Sequence, residues 1–192
     1  MYTPPKLHPF EEERQKVLNS LNILDTLPDP LYNGLIELIQ KLYDVPIALV
    51  SLIDNNRQWF KACIGLDILE TSRDISFCGH AILQNSIFIV NDASIHIDFE
   101  DHPCVTGESH IRFYAGCVIS VKEMPIGTIC IIDTKPRDFT REDLKYLRII
   151  ADVIERKWTT QRELITIKLL IDFLDMTNTA ATAEHNLRGK YE

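Results

Sequence analysis

Long uncharged apolar runs are missing from these 192 residues, and none approaches the ~20 positions that a membrane-spanning helix needs. Residues 1–10 hold no basic patch followed by an apolar stretch, so a cytoplasmic protein with no membrane partner is expected. No block of Lys and Arg offsets the excess of 28 acidic over 20 basic residues. The resulting net charge of −8 disfavours a nucleic-acid groove and an anionic-lipid surface alike. The five cysteines, Cys63, Cys78, Cys104, Cys117 and Cys130, form no C-x-x-C pair and leave one unmatched, which argues against a secreted disulfide framework and against a zinc ribbon. Cys78-Gly79-His80 and His102-Pro103-Cys104, with His96 and His110 nearby, carry metal-ligand chemistry. Their one-residue gaps are shorter than the spacing usual for zinc, and no metal site is expected. A Gly-rich phosphate loop, a nucleophile elbow and an H-E-x-x-H helix are also absent.

What is present is an ordinary globular composition, 45% hydrophobic and 25% charged, in a chain long enough for one core. Residues 1–8 have two adjacent prolines and no apolar periodicity, and are expected to form a flexible arm. From Pro9 a helix is expected, with Glu11, Glu12 and Glu13 near its positive end and Val17, Leu18, Leu21 and Leu24 at helical spacing. The prolines of residues 25–30 end it. A second helix follows with Leu31, Leu35, Leu38, Ile39 and Leu42 as its buried stripe.

Residues 47–53 and 58–64, separated by Asp54-Asn55-Asn56, read as an antiparallel hairpin. Residues 70–74 read as a loop, 87–90 as a short strand and 95–107 as irregular. The apolar runs 113–121 and 126–132, joined across residues 122–125, form a second hairpin at the centre of the sheet. The fold class is α+β. Thr140 and Asp143 have the spacing of a capping box, and no Gly or Pro occurs between Asp138 and Arg188. A long helix with Leu144, Leu147, Ala151, Ile154, Trp158 and Ile165 on one stripe is therefore expected.

Six motifs occur in an order that resembles the bacterial GAF domain. They are residues 46–54, Arg57-Gln58-Trp59-Phe60-Lys61, Glu70-Thr71-Ser72-Arg73, Ser76-Phe77-Cys78-Gly79-His80-Ala81-Ile82, Ile111-Arg112-Phe113-Tyr114-Ala115-Gly116 and residues 126–133. The resemblance implies a central antiparallel sheet with terminal helices on one face and a small-molecule pocket, roofed by loops and short helices, on the other. It covers 9–158. The subgroup it resembles is commonly fused in front of histidine kinases or diguanylate cyclases. No such output domain follows in this sequence, so a separate signalling partner is expected. The chain departs from the family pattern at residues 117–125, where the hairpin is shortened. Tetrapyrrole-binding relatives place a His directly after the attachment Cys; here Gly79 intervenes, and a bilin is not expected. The sequence names no cofactor.

A ligand site is expected at Trp59, Phe77, Cys78, His80, Arg112 and Tyr114, which lie on motifs flanking the open face of the sheet. Ser76 to His80 reads as a tight turn entering a helix. There Cys78 and His80 fit three roles: buried core, ligand contact or covalent chemistry. A buried Arg112 calls for an anionic partner, which Asp92, Glu70 or a ligand could supply. Lys61 and Arg73 read as rim charges. The expected function is a cytosolic sensory or regulatory module that binds a small molecule and relays the change along its terminal helix. The alternative is a stand-alone thiol enzyme of the free methionine sulfoxide reductase type. Beyond Trp158, residues 159–178 carry Leu164, Ile165, Ile167, Leu169, Leu170, Ile171, Phe173 and Leu174. This segment is expected to join two copies as a homodimer, with 179–192 as a frayed tail; the alternative is a break near Thr159-Thr160 that folds the segment back onto its own domain.

Overall fold

The computed structural model describes residues 2–188, with side chains through Ile171. Six antiparallel strands form one sheet: β1 Ile47–Ile53, β2 Arg57–Ile64, β3 Glu70–Ser72, β4 Ile87–Val90, β5 Phe113–Val121 and β6 Met124–Asp133, in the order β3-β2-β1-β6-β5-β4. Helices α1 Glu11–Ser20, α2 Pro30–Tyr43 and α5 Lys145–Arg188 accompany one face. The short helices α3 Phe77–Ala81 and α4 Pro103–Thr106 lie over the other. This is the α+β architecture expected from the sequence, with one addition. Residues 70–72, expected as loop, pair with β2 as an edge strand, and a 3-10 turn Arg73–Ile75 follows.

Strand alternation divides the molecule into two cores. Ala48, Val50 and Leu52 of β1, Phe113, Ala115, Cys117 and Ile119 of β5, and Ile129 and Ile131 of β6 face the long helices. Leu49 and Ile53 of β1, Tyr114 of β5 and Cys130 and Ile132 of β6 face the short ones. The β5–β6 hairpin closes through Lys122 and Glu123, both at positive φ (49° and 64°), the conformation of a two-residue type I′ turn.

Helix α2 is capped by Asp29, whose side chain accepts from the Leu31 amide, and it starts at Pro30. Its buried residues are Tyr32, Ile36, Ile39 and Tyr43: of the expected stripe Ile39 is buried and Leu35 packs partly against the core, whereas Leu31, Leu38 and Leu42 are corrected. Two tyrosines set the rotation. Tyr32 accepts a 2.6 Å hydrogen bond from Trp158 Nε1, and the Tyr43 hydroxyl donates to the Asp143 carbonyl at 3.2 Å. Leu31, Leu38 and Leu42 are left exposed.

Thr140 and Asp143 bond reciprocally, as a capping box should, and α5 then runs unbroken through Thr159 and Thr160. Leu144, Leu147, Ala151, Ile154 and Trp158 are buried against the sheet. Of the expected tail, 179–188 continue this helix, and 189–192 lie outside the described residues. Residues 2–10 form no helix or strand, but Tyr2 packs edge-on to His102 (ring centroids 4.3 Å apart) and donates to the Asp74 carbonyl at 2.8 Å. At least the first residues of the expected flexible arm thus have fixed partners.

The two layers are tied by one carboxylate. Glu11, in the first turn of α1, accepts from Arg14 at 2.6 Å, from Arg73 at 2.6 Å and from Gln15 at 3.1 Å. Arg73 is therefore a buried ion-pair partner and not a rim charge. Burial works against the Glu11 carboxylate, but bonds from Arg14, Arg73 and Gln15 outweigh it and hold the carboxyl far below its usual range. Replacing Glu11 by Gln leaves two buried guanidinium groups without a counter-charge. It is expected to lower stability by about 2–3 kcal/mol, less than the ~3–5 kcal/mol of a fully enclosed pair because Glu11 keeps some solvent contact. A depressed folded pKa means that this contribution is complete above the unfolded carboxyl value of 4.5 and declines as the pH falls below it. Urea midpoints of wild type and Glu11→Gln should differ near neutrality and converge as the pH drops toward ~3; a constant difference across that range would contradict the ion-pair account.

Candidate functional site

The short-helix face of the sheet does not fill completely. Between β1, β2, β5 and β6 below and α3, α4 and the β2–β3 loop above lies a cavity of about 290 Å³, near the lower end of the ~300–1,000 Å³ usual for ligand sites. Ile47, Leu49, Phe60 and Ile132 form its floor. Phe77 and Cys78 of α3, Leu66 and Ile68 of the loop, and Cys104 and Ile111 around α4 form its walls. Its polar lining consists of Gln58, Thr71, Ser76, Ser109 and Tyr114, and among the described residues no Asp, Glu, Lys, Arg or His lines it.

Local chemistry holds α3 over this space. Ser76 caps the helix by accepting from the Gly79 amide at 2.8 Å, and its hydroxyl also donates to the Gln58 side-chain oxygen. Phe77 stacks between Phe99 (4.7 Å) and Tyr114 (5.2 Å). The Tyr114 phenol lies over Gly116, where a Cβ would come within 2.0 Å of its oxygen, and it donates to Cys78 Sγ at 3.3 Å. Behind this contact are Cys130 Sγ, 3.7 Å from Cys78 Sγ, and the fully buried hydroxyl pair of Ser51 and Thr128, 3.1 Å apart. Burial pushes the Tyr114 hydroxyl well above its ordinary pKa, so it is a neutral donor.

Of the six residues expected to meet at a site, the structure brings together Phe77, Cys78 and Tyr114. Trp59 is on the opposite face, in the core under the long helices. It borders a second, open groove of about 660 Å³ beside the α1–α2 connection, which Lys61 also lines. Lys61 is the extra residue of a bulge, since Val50 pairs with Ala62 and Ser51 with Phe60. Its ammonium is tied to Thr26 Oγ1 (2.7 Å) and the Leu27 carbonyl (2.9 Å), so it is buried and not a rim charge. His80 faces the N-terminal segment, 3.2 Å from the Tyr2 hydroxyl, outside the cavity. Arg112 donates to the Val105 and Ile111 carbonyls at 2.9 and 3.0 Å. It thus fastens α4 to the start of β5 through carbonyls, in place of the carboxylate or ligand anion expected. Leu49, Gln58, Phe60 and Ile111, which line the cavity, and Cys130 behind it were missed; β1 and β6 are apolar on both faces, so their sequence does not mark which side holds the cavity.

The model of the GAF domain family matches residues 28–157. A cyclic di-GMP phosphodiesterase of Pseudomonas aeruginosa is 38% identical over 165 residues, which is 84% of this chain, and the chain spans only 28% of that protein's length. Among solved structures, the GAF domain from an Acinetobacter phosphoenolpyruvate-protein phosphotransferase superimposes with a TM-score of 0.56 at 14% identity, covering 81% of this chain and 96% of its own. The free methionine-R-sulfoxide reductase from Neisseria meningitidis gives 0.58 at 15% identity, covering 83% and 97%. At such identities the structural likeness concerns the fold alone, whereas the family match spans most of the sequence: the chain belongs to the GAF domain family.

Proposed function

We propose that this chain is a sensory module whose cavity takes a compact, uncharged and largely apolar molecule. The observation that carries this reading is the lining. Apolar and aromatic side chains enclose the space, a few neutral polar groups converge on it, and no charged side chain reaches it. A phosphate or carboxylate ligand would enter without a cation to meet it, which is costly in a buried site. Cyclic di-GMP, named for the Pseudomonas relative, carries two phosphates and does not suit this lining.

The relay runs through α5. The Arg148 side chain donates to the Val118 carbonyl at 2.8 Å, and Glu155 accepts from the Ser120 amide at 2.7 Å, so α5 is pinned to the same strand whose Tyr114 reaches the cavity. The inward stripe from Leu144 to Trp158 is consumed by the chain's own core. A second stripe faces away: Ile149, Val153, Leu164, Ile167 and Ile171 advance by three, four or eleven residues and are each 45% exposed or more. Leu31, Leu38 and Leu42 add to the exposed apolar surface on α2. This pattern supports a homodimer joined through α5, with 159–178 as the dimerisation segment, that passes the ligand state to a signalling output in the cytoplasm.

Two measurements check this reading. Native mass spectrometry of the purified chain should find a neutral small molecule retained by wild type and lost from the cavity-filling variant Ile111→Trp, and cyclic di-GMP should leave the melting temperature unchanged. A dose-dependent rise in melting temperature with cyclic di-GMP would overturn the uncharged-ligand reading. Sedimentation at micromolar concentration should give a dimer that the double variant Ile167→Glu with Ile171→Glu converts to a monomer; a monomeric wild type would overturn the dimer.

A further inference from the structure

We propose that Cys78 and Cys130 form a peroxide-reactive dithiol site in the wall of the cavity, which closes to an intramolecular disulfide when a hydroperoxide enters. The two sulfurs are 3.7 Å apart, on α3 and on the central strand β6. Forming a bond of about 2.05 Å shortens that separation by only ~1.7 Å. The other cysteines are placed differently. Cys63 and Cys104 direct their thiols to the Leu66 and Ile75 carbonyls, and Cys117 lies on the helix side of the sheet.

Position and polarity divide the work between the two thiols. Both thiols are buried, but Cys78 lines the cavity, which gives a small oxidant its path, whereas Cys130 lies behind it and is not part of the lining. Burial raises the Cys78 thiol pKa, but hydrogen bonds involving Cys130, Ser51, Thr128 and Tyr114 outweigh it and leave the thiol below its ordinary value. Burial and the neighbouring Cys78 raise the Cys130 thiol pKa, so Cys130 keeps its proton.

The chemistry balances in two steps. The Cys78 thiolate attacks one peroxide oxygen and the O–O bond breaks. Sulfur is oxidised to the sulfenic acid, and the other oxygen leaves as water or alcohol with the proton lost by the thiol. Cys130 sulfur then attacks the sulfenic sulfur, the S–O bond breaks, and the Cys130 proton leaves with the hydroxyl as water. The hydroperoxide is reduced by two electrons, supplied by the two thiols. The new bond fastens α3, one wall of the cavity, to the sheet. The cavity serves only as an entry path here, so the inference stands apart from the identity of any organic ligand.

The test treats the reduced full chain with hydrogen peroxide and no added ligand. The intact mass should fall by about 2 Da through loss of two hydrogens, and peptide mapping should link Cys78 to Cys130. Cys130→Ser should instead accumulate a sulfenic acid on Cys78 that dimedone traps. Tyr114→Phe, which removes a donor to the Cys78 sulfur, should slow oxidation by about tenfold. An unchanged mass, or a bridge to Cys63, Cys104 or Cys117, would overturn the proposal. The wild-type map decides the question even where a variant fails to fold, and the circular dichroism spectrum identifies such a case.

Discussion

Strands β1, β6 and β5 lie side by side in the middle of the sheet and are buried on both faces. That two-sided burial constrains everything around them. Each fully buried Ile, Leu or Val contributes roughly 1.5–3 kcal/mol, so neither face of these strands can be left to water. The chain answers differently on the two sides. On one, three helices with large side chains such as Trp158, Tyr32, Ile36 and Leu147 pack against the sheet. On the other, short helices of five and four residues and connecting loops span the same width. They seal the edges and leave a space of about 290 Å³ in the middle.

The polar groups in this interior follow from the same arrangement. A sheet covered on both sides leaves most of its buried polar groups to find partners inside. Ser51 finds Thr128 across the strand pair, Ser76 finds Gln58, and Tyr114 finds Cys78. Arg73, at the edge of the short-helix face, finds Glu11 at the start of α1. Gln58, Ser76 and Tyr114 of the cavity lining thus have protein partners, and the walls offer shape and apolar contact more than charge. β5 links the cavity to α5, with Tyr114 near the cavity and Val118 and Ser120 held by α5.

Much of the architecture was legible in the sequence because it depends on local pattern. Unbroken apolar runs gave the central strands, Asp29-Pro30 marked the start of α2, and the absence of Gly and Pro after Asp138 gave the long α5; α1, expected to run through Leu24 to the prolines, stops at Ser20 instead, with Asn22 and Asp25 at positive φ beyond it. What failed to read through depends on distant contacts. The rotation of α2 is fixed by Tyr32 meeting Trp158 of α5 and Tyr43 meeting Asp143 just before it, and leucines alone point to a stripe that is mostly exposed. Trp59 and Phe60 alternate as expected, but which face holds the cavity is decided by the short helices, and that face took Phe60. Lys61 and Arg73 are long side chains whose partners, Thr26 and Glu11, lie 35 and 62 residues away. For the site, the Ser76 to His80 motif correctly marked Phe77 and Cys78. It carried His80 along with them, although the turn of α3 points that ring at Tyr2. Cys130 sits inside an apolar strand, where it reads as one more small core residue until the fold sets it beside Cys78.

The account rests on the two faces being unlike, one solid and one hollow, and xenon, which enters apolar cavities, tests this most directly. Methyl NMR spectra recorded under increasing xenon pressure should show saturable shifts for Leu49, Leu66, Ile111 and Ile132 around the cavity. Ile36, Ile39, Leu147 and Ile154, in the helix-side core, should show none. Equal shifts in the two sets, or no saturable shift in the first, would contradict it.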